Sequence, residues 1–399
     1  MAISTSTSPQ THWSLIIIAT VAGFAAAFNV GKIAPSLPAL QAELGLSLFQ
    51  MSWIVSSFSV IAMLFALPAA LFSVRLGAYR MALTALAMLG LGALGGAYAE
   101  QFAVLLLCRL LEGMGYVLIA VSAPALISQV AQPQHRTTGM TVWSTWIPIG
   151  VSLMLLTAPL VLQAYSWREV WLLTAFFAFA WLLILGGTFF SHHNRAMPNT
   201  HTNPVLLVGI FKPDPLKLAA SFMCFSAVFI IAISFMPTVW LKQKGVPITQ
   251  SSGWMALIIL SSVMGNGVGG WLVSKGIATS RILVSSFVIP ACLASWAFLD
   301  IFPLWLQISC IGLFVFIGSI VPGTLFAVTP TYATTPAQVS LLVGLIFQGA
   351  AIGQVIGPVL FSAIIDASGG DWRWALGFYG FFALLGGWVM SSIKPPQTR

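Results

Sequence analysis

Long apolar runs, separated by short polar or turn-forming stretches, account for most of this 399-residue chain. An α-helix needs ~20 mostly apolar residues to cross a bilayer, and these runs have that length. Numbered spans 1 to 12 in chain order, the predicted membrane helices cover 13–37, 50–73, 78–98, 102–128, 138–162, 168–190, 216–240, 250–273, 280–301, 304–329, 339–365 and 372–392. The pattern predicts an all-α integral membrane protein.

The predicted spans fall into two groups of six. The one long connection, 191–215, is rich in His, Asn and Pro and is typical of a linker. We therefore expect an N-terminal six-helix bundle over 1–190 and a C-terminal one over 216–399. Features recur between the groups at a shift of about 200 residues, which indicates duplication. The matched positions are Trp53 and Trp254, Pro35 and Pro237, Arg75 and Arg80 with Lys275 and Arg281, Gly150 and Gly349, Pro159 and Pro358, and Trp167-Arg168 and Trp372-Arg373.

Two parallel six-helix halves are typical of transporters that work by alternating access, with a solute site near the midplane between the halves. A duplicated bundle that serves only as a receptor or scaffold is the alternative interpretation.

Composition and charge agree with a membrane protein. Only 6% of the residues are charged, against roughly 25% in soluble domains, so little of the chain can face water. The formal charge of +8 comes from basic residues scattered singly through loops, which does not favour a nucleic-acid partner. Most of them fall on the side of both chain ends, which predicts cytoplasmic termini in a cell inner membrane. These are Arg75, Arg80, Arg136, Arg195, Lys212, Lys217, Lys275, Arg281, Lys394 and Arg399.

No motif for enzymatic chemistry is apparent. There is no nucleotide-binding Gly-x-x-x-x-Gly-Lys-Ser/Thr, no nucleophile with a partner base, and no Cys or His spacing typical of a metal site. We therefore expect neither catalysis nor a cofactor, and energy must come from a solute or ion gradient.

The loop between spans 2 and 3 and the middle of span 4 carry a family resemblance. The loop retains Arg75, Gly77 and Arg80 of a Gly-x-x-x-Asp-Arg-x-Gly-Arg-Arg signature, with Val74 in place of the acid. Span 4 contains Arg109-Leu-Leu-Glu-Gly-Met-Gly, which is similar to Arg-x-x-Gln-Gly-x-Gly. In both signatures the chain resembles the major facilitator superfamily.

The resemblance implies twelve helices in two pseudo-symmetric bundles, with spans 1, 4, 7 and 10 facing a central cavity and with Arg75, Gly77 and Arg80 in a gating loop. The end of span 1, Asn29-Val-Gly-Lys-Ile-Ala-Pro-Ser-Leu-Pro, and the Trp167-Arg168 step resemble the cyanate/nitroimidazole transporter branch. The drug-antiporter signature of span 5 is poorly matched.

Three charged residues lie deep in predicted spans: Lys32 in span 1, and Arg109 and Glu112 in span 4. A charge at the bilayer centre costs at least about 2.5–3.5 kcal/mol, so such residues face protein or water. A rise of ~1.5 Å per residue puts all three in the outer half of the membrane at similar heights. If spans 1 and 4 both face the cavity, the three can meet.

Two questions about this cluster stay open. Lys32 and Arg109 either attract an anionic or strongly dipolar solute or belong to an ion-pair network that only joins spans 1 and 4. Separately, Glu112 either carries a coupled proton or stays ionised as a structural counter-ion to Arg109. Further substrate-binding candidates are the polar Asn29, Tyr116, Asn266 and Gln348. Trp143 and Trp146, early in span 5, are interpreted as interface or lipid contacts.

The sequence thus predicts a monomeric secondary transporter that takes up a small anionic or dipolar solute, with protons as possible partners and lipid as its surroundings. A proton-coupled exporter of drugs or metabolites is the alternative. A transport-dead sensor of the same fold is the third.

Overall fold

A computed structural model describes residues 11–46, 48–193 and 211–393, and within those ranges all regular elements are helices. Twelve helices of this part of the chain are long and apolar enough to cross a membrane, and all twelve spans are confirmed. In order, with broken spans given as two segments, they are Trp13–Gly31 and Ile33–Leu44, Leu48–Leu76, Ala78–Ala97, Phe102–Val130, Arg136–Ser144 and Trp146–Ala164, Trp167–His193, Pro213–Lys244, Ile248–Ser274, Thr279–Trp296, Leu304–Gly318 and Ile320–Val328, Pro336–Ala367, and Ala375–Ser391. Three 3-10 turns, Pro133–His135, Thr329–Tyr332 and Trp372–Trp374, lie at span ends. Most of the predicted linker 191–215 lies outside the described residues.

Three spans are interrupted by a single residue, and each interruption lies at the turn where a proline removes one backbone hydrogen bond. Span 1 breaks at Lys32, span 5 at Thr145 and span 10 at Ser319. In each case a proline follows three residues later, and the helix stops at the residue four positions before that proline. Proline has no N–H to donate to that carbonyl, and its ring collides with it. Lys32 therefore occupies the bend of span 1.

The ends of the spans define two faces of the bundle. At the terminal face, where span 1 begins and span 12 ends, the Thr11 hydroxyl bonds to His135 Nδ1 at 2.8 Å. At the opposite face, Arg168 at the start of span 6 forms a 2.6 Å ion pair with Glu43 at the end of span 1. Successive spans therefore alternate in direction, as the sequence predicts.

The halves before and after the undescribed segment meet along two seams. Span 2 packs along span 11, and span 5 packs against spans 8 and 10. Within the first half, spans 3 and 4 pack closely, span 2 lies on span 4, and span 1 contacts spans 4, 5 and 6. Span 1 is thus held by its own half.

The matched dipeptides of the two halves, Trp167-Arg168 and Trp372-Arg373, differ in their bonding partners. Trp167 Nε1 donates to Glu43 at 2.7 Å, so the step before span 6 ties span 6 to span 1. Arg373 instead pairs with Asp371, two residues away, at 2.9 Å and is 79% exposed. Hydrogen bonding from Arg373 holds the pKa of the Asp371 carboxyl below its ordinary value. The duplication therefore preserves the position of the step but not its role.

Candidate functional site

The three deep charges of spans 1 and 4 form one cluster. Glu112 lies between the two cations, with Oε1 2.6 Å from Lys32 Nζ and Oε2 paired with the Arg109 guanidinium. All three side chains are at most 1% exposed. The sequence-based expectation that these residues can meet is therefore satisfied, within the first half of the molecule.

Lys32 uses its full donor capacity inside the cluster. Besides Glu112, its ammonium group donates to Asn29 Oδ1 at 2.5 Å and to Thr174 Oγ1 at 3.2 Å. It also lies 4.4 Å from the ring centroid of Trp171, a cation–π distance. Because an ammonium group has three N–H donors, these contacts satisfy Lys32 completely in this conformation.

Arg109 joins three spans. Its NH1 group donates to the Asn29 carbonyl oxygen at 2.9 Å in span 1, and its Nε group to the Ile54 carbonyl at 3.4 Å in span 2. The guanidinium carbon lies 4.2 Å from the ring centroid of Phe58, also in span 2. Arg109 therefore links spans 1, 2 and 4 around Glu112.

Glycines of span 3 make room for the cluster. A Cβ atom at Gly92 would lie 2.7 Å from Glu112 Cγ, and one at Gly96 would lie 2.7 Å from the Trp171 ring. These approaches are closer than side-chain atoms tolerate, so any larger residue would displace Glu112 or Trp171. Span 3 thus seals the cluster from the side.

The cluster contains one more positive charge than negative charge. Two cations and one carboxylate sum to +1 in a site with almost no solvent contact. A buried pair of opposite charges can offset its desolvation, but an unpaired third charge cannot. Arginine stays protonated in proteins, whereas a buried lysine readily loses its proton. Of the two cations, Lys32 is therefore the one whose side-chain chemistry allows the release of a proton.

Sequence reasoning missed three members of this cluster: Thr174, Trp171 and Phe58. Thr174 carries a fully buried hydroxyl among apolar residues of span 6. An isolated hydroxyl in an apolar run is the sequence signal that could have found it. The two aromatic residues carry no such signal, since rings are common throughout the spans. Each of them contributes a cation–π contact, Trp171 with Lys32 and Phe58 with Arg109.

Tyr116 connects the cluster to the boundary between the halves. It lies one helical turn beyond Glu112 in span 4, and its ring centroid is 5.5 Å from that of Phe58, the ring beside Arg109. On its other side Tyr116 packs with Ala62 and Ala66 of span 2 and with Phe347 of span 11, and these side chains leave no room for a water molecule. Tyr116, one of the predicted binding residues, therefore contacts side chains of both halves.

Trp143 and Trp146 contradict the interpretation as lipid or interface contacts. Both are fully buried, and their rings stack with centroids 4.9 Å apart. They fit against span 1 because Gly23 leaves space there: a Cβ atom at Gly23 would lie 2.9 Å from Trp143. The prediction was wrong because a tryptophan near a span end has the same local sequence whether it faces lipid or a neighbouring helix.

Asn266 and Gln348 lie away from the charged cluster, on the seams between the halves. Asn266 Nδ2 donates to the Ser144 carbonyl at 2.8 Å, which is the carbonyl left without a helical partner by Pro148. Gln348 Nε2 donates to the Met63 carbonyl at 3.0 Å. Asn266 therefore joins span 8, and Gln348 joins span 11, to the backbone of the first half.

The halves are closed against each other on the terminal-face side. The segments 119–128 of span 4, 323–329 of span 10 and 338–347 of span 11 are buried throughout. Ser340 Oγ of span 11 donates to the Val121 carbonyl of span 4 at 3.1 Å across this boundary. In this conformation Tyr116 is therefore separated from the terminal face.

The predicted gating loop is partly described. Gly77, between spans 2 and 3, has a φ of 83°, a value that favours glycine, and it permits the sharp reversal there. Arg80 is exposed at the start of span 3. The Arg75 side chain lies outside the described residues, so the role of this loop stays a prediction.

Comparison with known proteins places this geometry in a family context. The family model of the Major Facilitator Superfamily matches residues 19–339. The chain is also similar to the hexuronate transporter of Bacillus subtilis (strain 168), with 22% identity over 395 residues, which cover 94% of this chain and 91% of the relative.

A second relative matches only in part, and one solved structure matches nearly throughout. The galactose-proton symporter of Escherichia coli (strain K12) is 27% identical over 169 residues, which cover 42% of this chain and 36% of that protein. The solved structure of the proton:xylose symporter XylE bound to 6-bromo-6-deoxy-D-glucose covers 96% of both chains with a TM-score of 0.79 at 12% identity. At that identity the likeness concerns the fold.

Proposed function

The chain belongs to the Major Facilitator Superfamily, and from that premise we propose that it is a secondary transporter that takes up a small organic anion together with a proton. The observation that carries the proposal is the buried Lys32–Glu112–Arg109 cluster with its single excess positive charge. An excess charge that is fully enclosed in the membrane costs free energy. An anion that is transported together with a proton can balance this charge.

The coupled proton is assigned to Lys32. Adding a proton to Glu112 would leave two unpaired cations in the cluster, whereas removing one from Lys32 leaves a neutral Arg109–Glu112 pair. Both Glu112 oxygens already accept hydrogen bonds from cations. The sequence-based assignment of the proton to Glu112 stays an alternative with a distinct experimental signature.

The anion and the proton stabilise each other through their charges. Phe58 lies between Arg109 and Tyr116, so two aromatic side chains separate the excess charge from the boundary between the halves. In a site of low dielectric constant, an anion bound between the halves favours the protonated form of Lys32. By thermodynamic reciprocity, protonated Lys32 favours binding of the anion by the same factor. Direct contact of Lys32 or Arg109 with the solute requires the cluster to open.

Organic carboxylates are the proposed substrates. A hexuronate is a sugar carboxylate, and the relative that carries this name aligns with almost the whole chain. Membership in the cyanate/nitroimidazole branch stays a prediction, and cyanate is likewise a small anion. We place the protein in a cell inner membrane as a monomer with its terminal face in the cytoplasm, as the distribution of loop Lys and Arg favours.

Proton-driven uptake into proteoliposomes tests this function. The purified full chain is reconstituted, and entry of radiolabelled glucuronate, benzoate and galactose is measured with and without an inward proton gradient. In a one-to-one electroneutral symport, one pH unit drives about tenfold accumulation, since it stores about 1.4 kcal/mol per proton. We expect gradient-dependent, saturable uptake of a carboxylate above that of protein-free vesicles, which report passive entry.

Other outcomes identify the alternatives. Uptake of galactose without any carboxylate would replace the anion by a neutral sugar. Drug resistance on overexpression, with no carboxylate uptake, would favour the proton-coupled exporter. Binding of a ligand without counterflow would favour a transport-dead sensor.

A further inference from the structure

One face of span 6 follows span 1, and Thr174 lies on that face. Trp167, Trp171 and Thr174 are spaced by four and three residues, which places their side chains on the same side of an α-helix. Trp167 bonds to Glu43 near the end of span 1, and Trp171 and Thr174 contact Lys32 at its bend. Thr174 is fully buried, so its hydroxyl meets Lys32 away from solvent.

The three oxygen acceptors around the Lys32 ammonium group are not equivalent. Glu112 Oε1 lies 2.6 Å from Nζ and Asn29 Oδ1 lies 2.5 Å from it, whereas Thr174 Oγ1 is more distant, at 3.2 Å. A neutral amine has two N–H groups, and the two nearer acceptors suffice for them. An ammonium group has three. The third acceptor, Thr174, is therefore needed while Lys32 carries its third proton.

The Thr174 hydroxyl is held in the orientation of an acceptor. It donates its own proton to the Trp171 carbonyl oxygen at 2.8 Å, within span 6. Because a hydroxyl has one donor and two acceptor positions, its lone pairs remain for Lys32. Bonds from a threonine hydroxyl to a preceding carbonyl are frequent in helices and have by themselves no role in proton binding. Thr174 differs in that the same oxygen accepts from a buried ammonium group.

We infer that Thr174 is a positioning residue for the coupled proton: its hydroxyl oxygen holds the third N–H of Lys32, the proton that Lys32 takes up and releases. This role rests on the proposed function, since it requires Lys32 to carry that proton. When Lys32 is neutral, Glu112 and Asn29 keep its two remaining N–H groups. Thr174 therefore stabilises the protonated form of Lys32 more than the neutral form.

The titratable groups that interact electrostatically with Lys32 are Arg109, Glu112 and Cys108, and all three belong to span 4. The other spans around the cluster contribute residues that do not titrate. These are Ile54 and Phe58 of span 2, Gly92 and Gly96 of span 3, Val151 and Met154 of span 5, and Trp171 and Thr174 of span 6. Because Thr174→Val changes none of the titratable groups, a shifted pH profile reports the hydrogen bond between Thr174 and Lys32.

Thermal unfolding of the purified full chain tests this role without a ligand, from about pH 5.5 to about pH 9.5. Thr174 stabilises a proton-bound folded state, so its contribution is present at low pH and is lost as the pH rises through the titration of Lys32. Thr174→Val is therefore expected to lower the unfolding temperature more at the acid end than at the alkaline end. Thr174→Ser, which keeps the hydroxyl, is expected to restore the wild-type pH dependence.

Counterflow of radiolabelled glucuronate or benzoate in proteoliposomes, with equal pH on both sides, gives the second readout. In Thr174→Val the pH of half-maximal counterflow is expected to lie about one unit lower than in the wild type. The reason is that loss of a hydrogen bond to a charged group lowers the proton affinity of Lys32 about tenfold. Thr188→Val is the matched control, because the Thr188 hydroxyl makes the same kind of bond in span 6, to the Ile184 carbonyl at 2.8 Å. It is expected to keep the wild-type pH profile.

The two readouts separate this role from simple packing. A loss of stability in Thr174→Val that is the same at every pH, or an unmoved pH of half-maximal counterflow, would overturn the inference and leave Thr174 as a packing residue. A shift toward higher pH would overturn it as well, because Thr174 would then favour the neutral amine. If neither carboxylate is transported by the wild type, the proposed function fails, whereas the unfolding experiment still decides whether Thr174 holds the Lys32 proton.

Discussion

Glu112→Gln is expected to destabilise the protein far more than Lys32→Gln, although both substitutions remove one charge from the same cluster. Without Glu112, two buried cations face each other with no counter-ion, and breaking a buried ion pair in this way costs about 3–5 kcal/mol. Without Lys32, the Arg109–Glu112 pair remains and is neutral. Thermal unfolding of the purified variants, followed by tryptophan fluorescence, measures the difference.

A double substitution separates charge from lost packing. If excess positive charge is what destabilises Glu112→Gln, adding Lys32→Gln to it removes one of the two unpaired cations and restores part of the unfolding temperature. Contacting residues are where such non-additive effects are expected. Equal unfolding temperatures for the two single variants would show that the balance of charge in the cluster does not stabilise the fold.

Gly344→Leu is expected to abolish transport while leaving the fold intact. Gly344 of span 11 lies where the two halves close. An added Cβ atom would lie 2.5 Å from Ala70 Cβ and 3.0 Å from the Ala66 carbonyl oxygen, both in span 2, and 3.5 Å from Val121 of span 4. Overpacking typically costs about 1–3 kcal/mol. Because the contact exists only when this side is closed, that cost shifts the closed-to-open ratio by about 5- to 150-fold.

Cysteine labelling reports this shift directly. A cysteine at Ser340, which is 1% exposed in the closed boundary, is placed in a background without the four native cysteines. Gly344→Leu is expected to accelerate its labelling by a water-soluble maleimide. Gly377→Leu, on span 12 with no atom near its added Cβ, is the control with unchanged labelling and transport. Unchanged labelling in Gly344→Leu would mean that the halves do not separate at this contact.

The twelve spans and the charged cluster were accessible to sequence reasoning because the bilayer permits few alternatives. Apolar runs of membrane length must be helices, and deep charges must find partners, so Lys32, Arg109 and Glu112 converge. The polar Asn29 beside them was likewise identified. What the sequence left open was whether the cations face a solute or each other, since both arrangements satisfy the same energetic requirement.

The bends and the buried tryptophans depend on packing that no local pattern encodes. Pro35 interrupts span 1, whereas Pro124 and Pro159 lie within spans 4 and 5 without ending the helix. The residue type is the same, so a proline by itself does not determine whether the helix is interrupted. Trp143 and Trp146 illustrate the same point, because only the space left by Gly23 shows that they pack inward.

The position of Lys32 joins charge to conformation. It occupies the bend of span 1, is fully satisfied by spans 1, 4 and 6, and is the member of the cluster that can lose a proton without leaving an unpaired charge. A change in its protonation therefore alters contacts at a point where the helix is already interrupted. This arrangement links proton binding to the geometry of span 1 and, through Phe58 and Tyr116, to the boundary between the halves.

Proton uptake on substrate binding tests this account most directly. The purified full chain is titrated, in weak buffer with a pH indicator, with the carboxylate that the proteoliposome assay identifies. The wild-type protein is expected to take up close to one proton per anion at a pH where Lys32 begins neutral, and its affinity falls as pH rises. Lys32→Arg, which keeps the charge but holds its proton permanently, is expected to bind the anion with no proton uptake and no pH dependence. Proton uptake by Lys32→Arg equal to that of the wild type would contradict the account and assign the proton to Glu112.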